Sequence, residues 1–347
     1  MSSNNGFSQI YMYYDMKYGY ILLLCFFLAS CTKPINYYGL SGEVHGTFYH
    51  ITYAASSKIV DEDDLKEVFS RFDRSLSTFD SLSVISRINQ NDSSVVLDSL
   101  FTKVFTRGME ISKMTNGAFD MTVAPLVNCW GFGFLKKEDV TATMIDSILQ
   151  FVGYEKVKLE NGHIVKQDER TMLDASAIAK GYSCDVTADF LRSKGIENYM
   201  VEIGGEIVTR GKNKHGKNWT IGITKPKEGV QIDDMEIQEV LCMSDKAMAT
   251  SGNYRQFYYK DGKRYSHTIN PSTGYPAEKS ILSATVVADD CMTADAFATA
   301  FMVMGIEKSV EYSEANGMCA YFIYSDEENQ LRVKATDAFS SFKCPEN

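Results

Sequence analysis

Asp295 and Thr299 lie four residues apart in an apolar segment that is typical of a helix. Four residues make about one helical turn, so both oxygen-bearing side chains project from the same face. A carboxylate and a hydroxyl in this arrangement suit Mg²⁺, which prefers oxygen ligands and completes its octahedron with phosphates. A buried helix with a hydrogen-bonded aspartate is the competing interpretation. The pair therefore predicts either a hard-metal site or a structural contact.

Two runs of short polar residues and glycines precede this segment. They are A-M-A-T-S-G-N-Y-R (247–255) and S-H-T-I-N-P-S-T-G-Y-P (266–276), and we expect both to form turns. Backbone amides and short side chains in such turns can surround phosphates or the edges of a ring. His267 is either a structural histidine or a base or charge-stabilising group. Together with Asp295 and Thr299, these runs predict a nucleotide-diphosphate site with a hard metal.

The segment from Asp174 to Gly181 is a second candidate for phosphate binding. We expect it to follow a short apolar strand and to open a helix. Free backbone amides at the start of a helix favour phosphate, and Lys180 adds a positive charge. Asp174 as a plain helix cap, with Lys180 as a solvated surface charge, explains the same residues equally well.

Glycines at two further places indicate a close approach of the backbone to another group. Gly204-Gly205 follows a predicted strand and forms either a ligand-contacting loop or a plain tight turn. Trp130, Gly131 and Phe132 lie in a glycine-flanked run whose aromatic rings could stack on a flat heterocycle. Ordinary loop packing is the alternative for that run.

The helices and strands that position these residues are predicted by the spacing of apolar residues. Helices are expected at 62–76, from about 100 to Asn116-Gly117, at 144–149, at 178–194 and near 292–304. Strands are expected at 43–54, 199–203, 218–223, 255–260 and 281–288. Because helices cluster early and strands late, the pattern indicates an α+β fold rather than strict βαβ alternation.

The chain has 347 residues and a formal net charge of −10, which argues against a nucleic-acid partner. Beyond the N-terminal segment, the cysteines are Cys129, Cys184, Cys242, Cys291, Cys319 and Cys344. None of them forms a C-x-x-C pair, so zinc or thioredoxin-like chemistry is not expected. Most are expected to be isolated buried thiols, although an exported location would permit disulfides.

The N-terminus is expected to be a signal peptide. Lys17 precedes an apolar run (18–28) that is too short to span a bilayer comfortably. The run ends in L-A-S-C (28–31), which resembles a bacterial lipobox and implies cleavage before Cys31 and lipidation of that residue. An ordinary signal peptide with an incidental cysteine is the alternative, and Met16 competes with the first residue as the start.

This interpretation gives the expected layout of the chain. A signal peptide covers 1–30, a polar tether covers 31–38, and one folded domain covers 39–347. The mature protein is then lipid-anchored to a bacterial membrane and faces the periplasm.

In their order and combination, these segments resemble the ApbE family, the FAD:protein FMN transferases, along nearly the whole mature chain. The matching runs are S-T-F-D-S-L-S-V-I-S-R-I-N (77–89), G-A-F-D-M-T-V-A-P-L-V-N-C-W-G-F-G (117–133), L-D-A-S-A-I-A-K-G-Y-S-C-D (173–185), V-E-I-G-G-E-I (201–207), A-T-S-G-N-Y-R (249–255), S-H-T-I-N-P-S-T-G-Y-P (266–276) and A-D-A-F-A-T (294–299). The resemblance implies an ApbE-like α+β fold, with mixed or antiparallel sheets, packed helices and FAD in a central cleft.

The resemblance also implies the residues of the site. FAD would be contacted by His45, Phe79, Trp130, Gly131, Phe132, Asp174, Lys180 and Ile269. Mg²⁺ would be held by Asp295, Thr299 and the backbone carbonyl of Ala177. Catalysis would depend on Asp295 and on His267, which would lie near the reacting phosphate.

Three positions depart from the family pattern. His45 stands where the family often has methionine, and Asn270 and Glu206 each replace a common aspartate. None of the three is an implied metal ligand, so the implied metal site is unaffected.

The implied reaction is Mg²⁺-dependent transfer of FMN from FAD to a threonine hydroxyl of an exported acceptor protein, with release of AMP. Two alternatives use the same residues: hydrolysis of FAD to FMN and AMP, and FAD binding by a lipoprotein without catalysis. The chain shows no obvious acceptor segment, so a separate acceptor protein is expected. The family's acceptors include exported segments of Rnf-type and sodium-pumping quinone-reductase complexes.

Overall fold

The structure is a computed structural model that describes residues 34–133, 140–227, 236–253, 257–260, 263–277 and 281–345. The described helices are α1 (Glu62–Leu76), α2 (Val84–Asn89), α3 (Ser99–Met114), α4 (Ala124–Cys129), α5 (Ala142–Leu149), α6 (Ser176–Ser193), α7 (Cys291–Met304) and α8 (Ile306–Ala315). The described strands are β1 (Asn36–Val44), β2 (Thr47–Ala55), β3 (Val157–Glu160), β4 (His163–Lys166), β5 (Tyr199–Ile203), β6 (Glu206–Arg210), β7 (Trp219–Thr224), β8 (Ile237–Met243), β9 (Lys246–Gly252), β10 (Phe257–Lys260), β11 (Lys263–Ser266), β12 (Ile281–Ala288), β13 (Cys319–Ser325) and β14 (Leu331–Ala335). Across these ranges, no helix has the length and apolar character needed to cross a membrane. The predicted signal peptide and Cys31 lie outside the described residues.

Eight strands form one antiparallel sheet in the order β1-β2-β5-β6-β9-β12-β13-β14. The pairs β3–β4, β7–β8 and β10–β11 form separate two-stranded sheets. Helices and an antiparallel sheet therefore share one chain without βαβ alternation, which confirms the α+β prediction. The five predicted helices are also present. The apolar residues of α1, α3, α6 and α7 pack against the sheet, whereas those of α5 pack in a separate cluster with Trp130.

The single strand expected at 43–54 is instead two strands joined by a tight turn. His45 and Gly46 form this turn with positive φ values of 51° and 72°, and Val44 pairs with Thr47. Positive φ at both central residues matches the right-handed twist of a hairpin. Histidine is an uncommon residue for the first of these positions, so the sequence carried no clear turn signal.

Part of the polar run at 247–255 was expected to form a turn, and this prediction was wrong. Its residues up to Gly252 belong to β9, which lies between β6 and β12 in the sheet. Ala247 and Ala249 face the helices and are fully buried, while Met248 faces the opposite side. The small residues allow α7 to lie close to the sheet, which explains a composition that resembles a loop.

Two further boundaries differ from expectation. The segment before Asp174 is not a strand, because Leu173 pairs through its backbone with the side chain of Asn89 rather than with a neighbouring strand. The predicted tether ends earlier than expected, since β1 begins at Asn36.

The main hydrophobic core lies between one face of the sheet and helices α1, α3, α6 and α7. Nearly every residue of α7 is buried, and its alanines keep it thin enough to be enclosed. A second core lies on the other face, under β7 and β8. Because α7 is central, Asp295 is held in a buried position, while Thr299 on the same helix is half-buried.

Cys242 and Cys344 form a disulfide that joins β8 to the C-terminal segment, across a sequence separation of 102. Closing so long a loop restricts the unfolded chain and typically stabilises a protein by about 2–4 kcal/mol. Cys129, Cys184, Cys291 and Cys319 are buried, as expected for most of the cysteines.

Candidate functional site

Helices α6 and α7 approach each other very closely at Gly181. A Cβ atom added to Gly181 would lie 2.3 Å from the backbone oxygen of Cys291 and 2.8 Å from Cβ of Asp295. The Gly181 N–H donates a hydrogen bond of 3.0 Å to Oδ2 of Asp295. Glycine at this position therefore places the Asp295 carboxylate directly against the first turns of α6.

Lys180 lies between two buried carboxylates. Its Nζ atom is 2.7 Å from Oε1 of Glu206 and 4.0 Å from Oδ1 of Asp295. Glu206 and Asp295 are each only 2% exposed. The Lys180 side chain is still 36% exposed, but it is paired with buried carboxylates, so the interpretation of Lys180 as a plain solvated surface charge was wrong.

The cluster of Lys180, Glu206 and Asp295, called the charge cluster below, has one positive group for two carboxylates. Burial raises the pKa of Glu206 to about 7, although the neighbouring Lys180 acts to lower it. Burial alone would lower the pKa of Lys180, but Asp295 and Glu206 outweigh it and raise that pKa above its usual range. Oε2 of Glu206 is buried without a hydrogen-bond partner among the described residues. The charge cluster is therefore one positive charge short of neutrality when both carboxylates are ionised.

The residues implied as Mg²⁺ ligands fit a cation of this kind. Asp295 supplies a buried carboxylate, and the Thr299 hydroxyl lies 2.9 Å from the hydroxyl of Ser251. The carbonyl of Ala177 is in the first turn of α6, and its usual helical partner, the N–H of Gly181, donates to Asp295. These donors are all oxygens, which is the set that Mg²⁺ prefers.

The protein groups do not complete a metal site by themselves. In the ranges that the structure describes, no group of three or more His, Cys, Asp or Glu side chains could hold a metal ion. One carboxylate, one hydroxyl and one carbonyl leave about half of an octahedron for other oxygens, such as those of a bound pyrophosphate.

Asp174 has a local structural role at the start of α6. Its Oδ1 atom accepts hydrogen bonds from the backbone N–H of Ser176, at 2.7 Å, and from the Ser176 hydroxyl. Its own N–H donates to the carbonyl of Met121 at 2.7 Å, just before α4. These bonds form an Asx-type turn one residue before Ala175, which is the N-cap of α6 and has no side-chain cap hydrogen bond. Asp174 is therefore not the cap of this helix, and its FAD contact stays a prediction.

A second group of predicted residues meets around Trp130. The Trp130 Nε1–H donates to the carbonyl of Gly274 at 2.8 Å, and the indole stacks on Tyr265 with ring centroids 5.3 Å apart. Ile269 is buried in the same hydrophobic cluster. The indole is only 6% exposed, so it supports the loop from within rather than forming an open wall.

Phe132 and His267 lie at the edge of this cluster. Their rings form an edge-to-face contact with centroids 6.4 Å apart, and both side chains are half-buried. Gly131 is exposed and has φ of 78°. The structure therefore brings Trp130, Gly131, Phe132, His267 and Ile269 together, and their contacts with FAD stay predictions.

Phe79 differs from the other predicted contacts because it is 84% exposed. Its loop is held by Ser77, whose hydroxyl accepts from the Phe79 N–H and whose carbonyl accepts from the Ser83 hydroxyl. When a flat ligand covers a large apolar ring, the apolar surface of the ring is removed from water, and this favours binding. This exposure is compatible with the predicted FAD contact.

Both ring nitrogens of His45 are engaged within the protein. Nδ1 lies 2.8 Å from Oδ1 of Asp73, and Nε2 lies 2.9 Å from Oγ of Ser183. His45 is thus connected to α1 and to α6 at the same time, and a direct contact with FAD stays a prediction.

Asp185 fixes the first turn of α7 and was not identified from the sequence. Its two carboxylate oxygens accept the N–H groups of Cys291 and Met292, each at 2.9 Å. Burial raises the pKa of Asp185 to about 7, although these two hydrogen bonds act to lower it. The side chain also lines a polar cavity of about 930 Å³ between α3, α6 and the sheet, which does not include the charge cluster.

Three other contributors to the site were missed or left open by sequence reasoning. Gly181 and Ser251 acquire their roles only through contacts with α7, which is distant in sequence. Glu206 follows the glycine pair, whose φ values of 63° and 99° form the β5–β6 turn. The one sequence signal for Glu206 was its position as an acidic residue directly after a glycine pair.

Comparison with known proteins gives the same family as the sequence motifs. The model of the ApbE family matches residues 45–322. The FAD:protein FMN transferase of Vibrio cholerae is 39% identical over 323 residues, which cover 91% of this chain and 95% of that protein. The FAD:protein FMN transferase of Haemophilus influenzae is 35% identical over 326 residues, which cover 90% of this chain and 93% of that protein.

Solved structures agree with this assignment. The flavin transferase ApbE from Vibrio cholerae matches with a TM-score of 0.80 at 38% identity, covering 89% of this chain and 100% of that one. The apo form of the flavinyl transferase ApbE from Pseudomonas stutzeri matches with a TM-score of 0.79 at 28% identity, covering 89% of this chain and 97% of that one. The α+β architecture is therefore that of these flavin transferases.

Proposed function

The chain belongs to the ApbE family, and we propose that it is an FAD:protein FMN transferase that uses Mg²⁺ and a threonine hydroxyl of the acceptor. It moves FMN from FAD to a separate acceptor protein. The observation that carries the proposal is the charge cluster of Lys180, Glu206 and Asp295, which lies inside the family match and lacks one positive charge.

The charge cluster favours a substrate that arrives with a divalent cation. A pyrophosphate alone would add negative charge beside two buried carboxylates, which is unfavourable in a region of low dielectric constant. Asp295, Thr299 and the carbonyl of Ala177 would hold Mg²⁺ at this point. When bound, Mg²⁺ neutralises charge on the pyrophosphate and stabilises the AMP leaving group.

The transfer is a substitution at the phosphorus of the FMN half of FAD. The threonine oxygen forms a new P–O bond, the bond from phosphorus to the AMP oxygen breaks, and AMP carries away that electron pair. His267 accepts the threonine proton, and Lys180 faces the phosphates with a fixed positive charge. The rigid loop around Trp130 supports His267 through its edge contact with Phe132.

Incubation of the full mature chain with FAD, Mg²⁺ and an exported subunit of a Rnf-type complex tests this function. We expect the acceptor to gain the mass of FMN and AMP to appear in equal amount, by mass spectrometry and chromatography. Chelation with EDTA should slow transfer by at least about a hundredfold, because a catalytic metal contributes several kcal/mol.

The control for this test is an acceptor in which the target threonine is replaced by valine, which has the same shape but no hydroxyl. Free FMN with an unmodified acceptor would contradict transfer and indicate hydrolysis. Unchanged FAD that nevertheless binds would contradict both reactions and indicate a flavin-binding protein.

We also propose that the protein is exported and anchored to a membrane through lipid on Cys31. The lipobox-like L-A-S-C run supports this location, and the Cys242–Cys344 disulfide is typical of an oxidising compartment. In a bacterial host fed a clickable fatty acid, the full chain should become labelled, and Cys31→Ala should not. Cys25→Ala is the matched control and should keep the label; equal labelling of both variants would disprove the assignment to Cys31.

A further inference from the structure

His45 joins three elements of the fold. It lies in the β1–β2 turn, and its ring nitrogens contact Asp73 on α1 and Ser183 on α6, at 2.8 and 2.9 Å. The ring also packs against Phe69 and Phe72, with centroids 5.8 and 5.1 Å away. A neutral imidazole satisfies both partners at once, since Nδ1–H donates to Asp73 and Nε2 accepts from the Ser183 hydroxyl.

Asp73, His45 and Ser183 have the hydrogen-bonding order of a serine-hydrolase triad. Ser183, however, is only 1% exposed and lies in the interior of α6, where the backbone amides are used by the helix. A substrate carbonyl can reach neither the hydroxyl nor an oxyanion hole there. The three residues, called the His45 chain below, therefore act on structure rather than as a nucleophilic centre.

The β1–β2 turn that the His45 chain holds lies beside Glu206. The N–H of Gly204 donates to the carbonyl of Phe48 at 2.9 Å. A Cβ atom at Gly204 would lie 2.9 Å from Cγ2 of Thr47 and 3.4 Å from Oε2 of Glu206. The turn thus covers the glycine pair whose next residue, Glu206, is the partner of Lys180.

The other end of the His45 chain is attached to the helix that carries Lys180. Ser183 follows Lys180 by three residues on α6, so the two side chains lie on neighbouring turns of one face. His45 consequently connects the turn beside Glu206 to the helix of Lys180. Its own backbone is in the left-handed region, with φ of 51°, a conformation that a non-glycine residue keeps only when its surroundings hold it.

We propose that His45 is a positioning residue for FAD. Through Asp73 and Ser183 it holds the β1–β2 turn against α6, and this contact sets the relative positions of Lys180 and Glu206 where the pyrophosphate binds. This role rests on the proposed function. It predicts that loss of the His45 chain weakens FAD binding and leaves the chemical step nearly unchanged, because the side chains of His45, Asp73 and Ser183 bond to one another and not to the charge cluster.

The test uses His45→Asn, Ser183→Ala and the double variant. Asparagine tolerates a positive φ, so the turn can persist, but its side chain is too short to reach both partners. Alanine favours the helix at position 183. We expect each single variant to raise the Kd and KM for FAD roughly three- to tenfold, as for a lost buried hydrogen bond, with kcat within about twofold. The Kd of the double variant for FAD should be no higher than the higher of the two single-variant values, because both substitutions remove the same connection.

His50→Asn is the matched control, since His50 lies on the same hairpin, is exposed, and contacts Glu202 at 3.6 Å and the ring of Phe48 rather than Asp73 or Ser183. It should leave the Kd for FAD unchanged. Wild-type Kd in folded His45→Asn and Ser183→Ala would overturn the proposal, as would additive losses in the double variant or a loss confined to kcat. In those cases the wild-type protein still transfers FMN and the proposed function stands; a wild-type protein that binds no FAD would overturn both.

Discussion

Asp295→Asn is expected to abolish metal-dependent FMN transfer, with kcat/KM lower by on the order of a thousandfold or more, because it removes the charged ligand from the implied metal site. The variant should stay folded. Asparagine has nearly the same shape and can still accept the hydrogen bond that Gly181 donates. It also leaves Lys180 and Glu206 as a balanced pair, so the thermal midpoint should be equal to or above that of the wild type.

Thermal unfolding with and without Mg²⁺ gives a readout that does not depend on turnover. Mg²⁺ together with FAD should raise the midpoint of the wild type, because ligands that bind only the folded state stabilise it. Asp295→Asn should lose the Mg²⁺-dependent part of that rise. Asp289→Asn is the matched control, since Asp289 is an exposed carboxylate near the start of α7 that pairs with Lys246. A folded Asp295→Asn protein with full activity would remove Asp295 from the metal site.

The local spacing of apolar residues was enough to predict the five helices named above. The strands were predicted less well, because they depend on pairing between segments that are distant in sequence. α1 and α3 bury apolar stripes, which a sequence displays directly, while α7 is apolar along almost its whole length and is buried on nearly all sides. β9 was missed because a central strand beneath a close helix needs Ala, Ser and Thr, the composition of a turn. The break at His45 was missed because histidine is not a typical residue of a two-residue hairpin turn, and because its partners Asp73 and Ser183 are 28 and 138 residues away in sequence.

The candidate site shows the same division. The spacing of Asp295 and Thr299 and the charge of Lys180 were visible in the sequence, but spacing alone could not separate a metal site from a buried structural contact. Glu206, Gly181 and Ser251 meet them only after the sheet and the α6–α7 contact have formed. The predicted FAD contacts of Phe79 and Ile269 rest on family resemblance alone, because nothing in their local spacing indicates a flavin.

Gly181→Ala is the second change with a large expected effect. Two physical effects predict opposite signs for the change in its free energy of unfolding. Helix propensity alone predicts stabilisation by about 1 kcal/mol when glycine in a helix is replaced by alanine. The structure predicts the opposite, because the new methyl group would lie 2.3 Å from the backbone oxygen of Cys291, which cannot rotate away. Overpacking of this kind typically costs about 1–3 kcal/mol. We therefore expect a lower free energy of unfolding in urea and a loss of kcat/KM of about a hundredfold, since a shift of about 1 Å in a catalytic group has that effect.

Gly108→Ala is the matched control for this prediction, because Gly108 also lies inside a helix and is buried. A Cβ atom there would meet Sδ and Cγ of Met121 at 2.3 and 3.1 Å; Met121 is buried, but its side chain is flexible and can adjust in a way that a backbone oxygen cannot. Its free energy of unfolding should change by less than about 1 kcal/mol, with activity retained. If Gly181→Ala were as stable and as active as Gly108→Ala, the α6–α7 contact would not set the position of Asp295, and the metal ligands would have to be held by the buried surroundings of α7 alone.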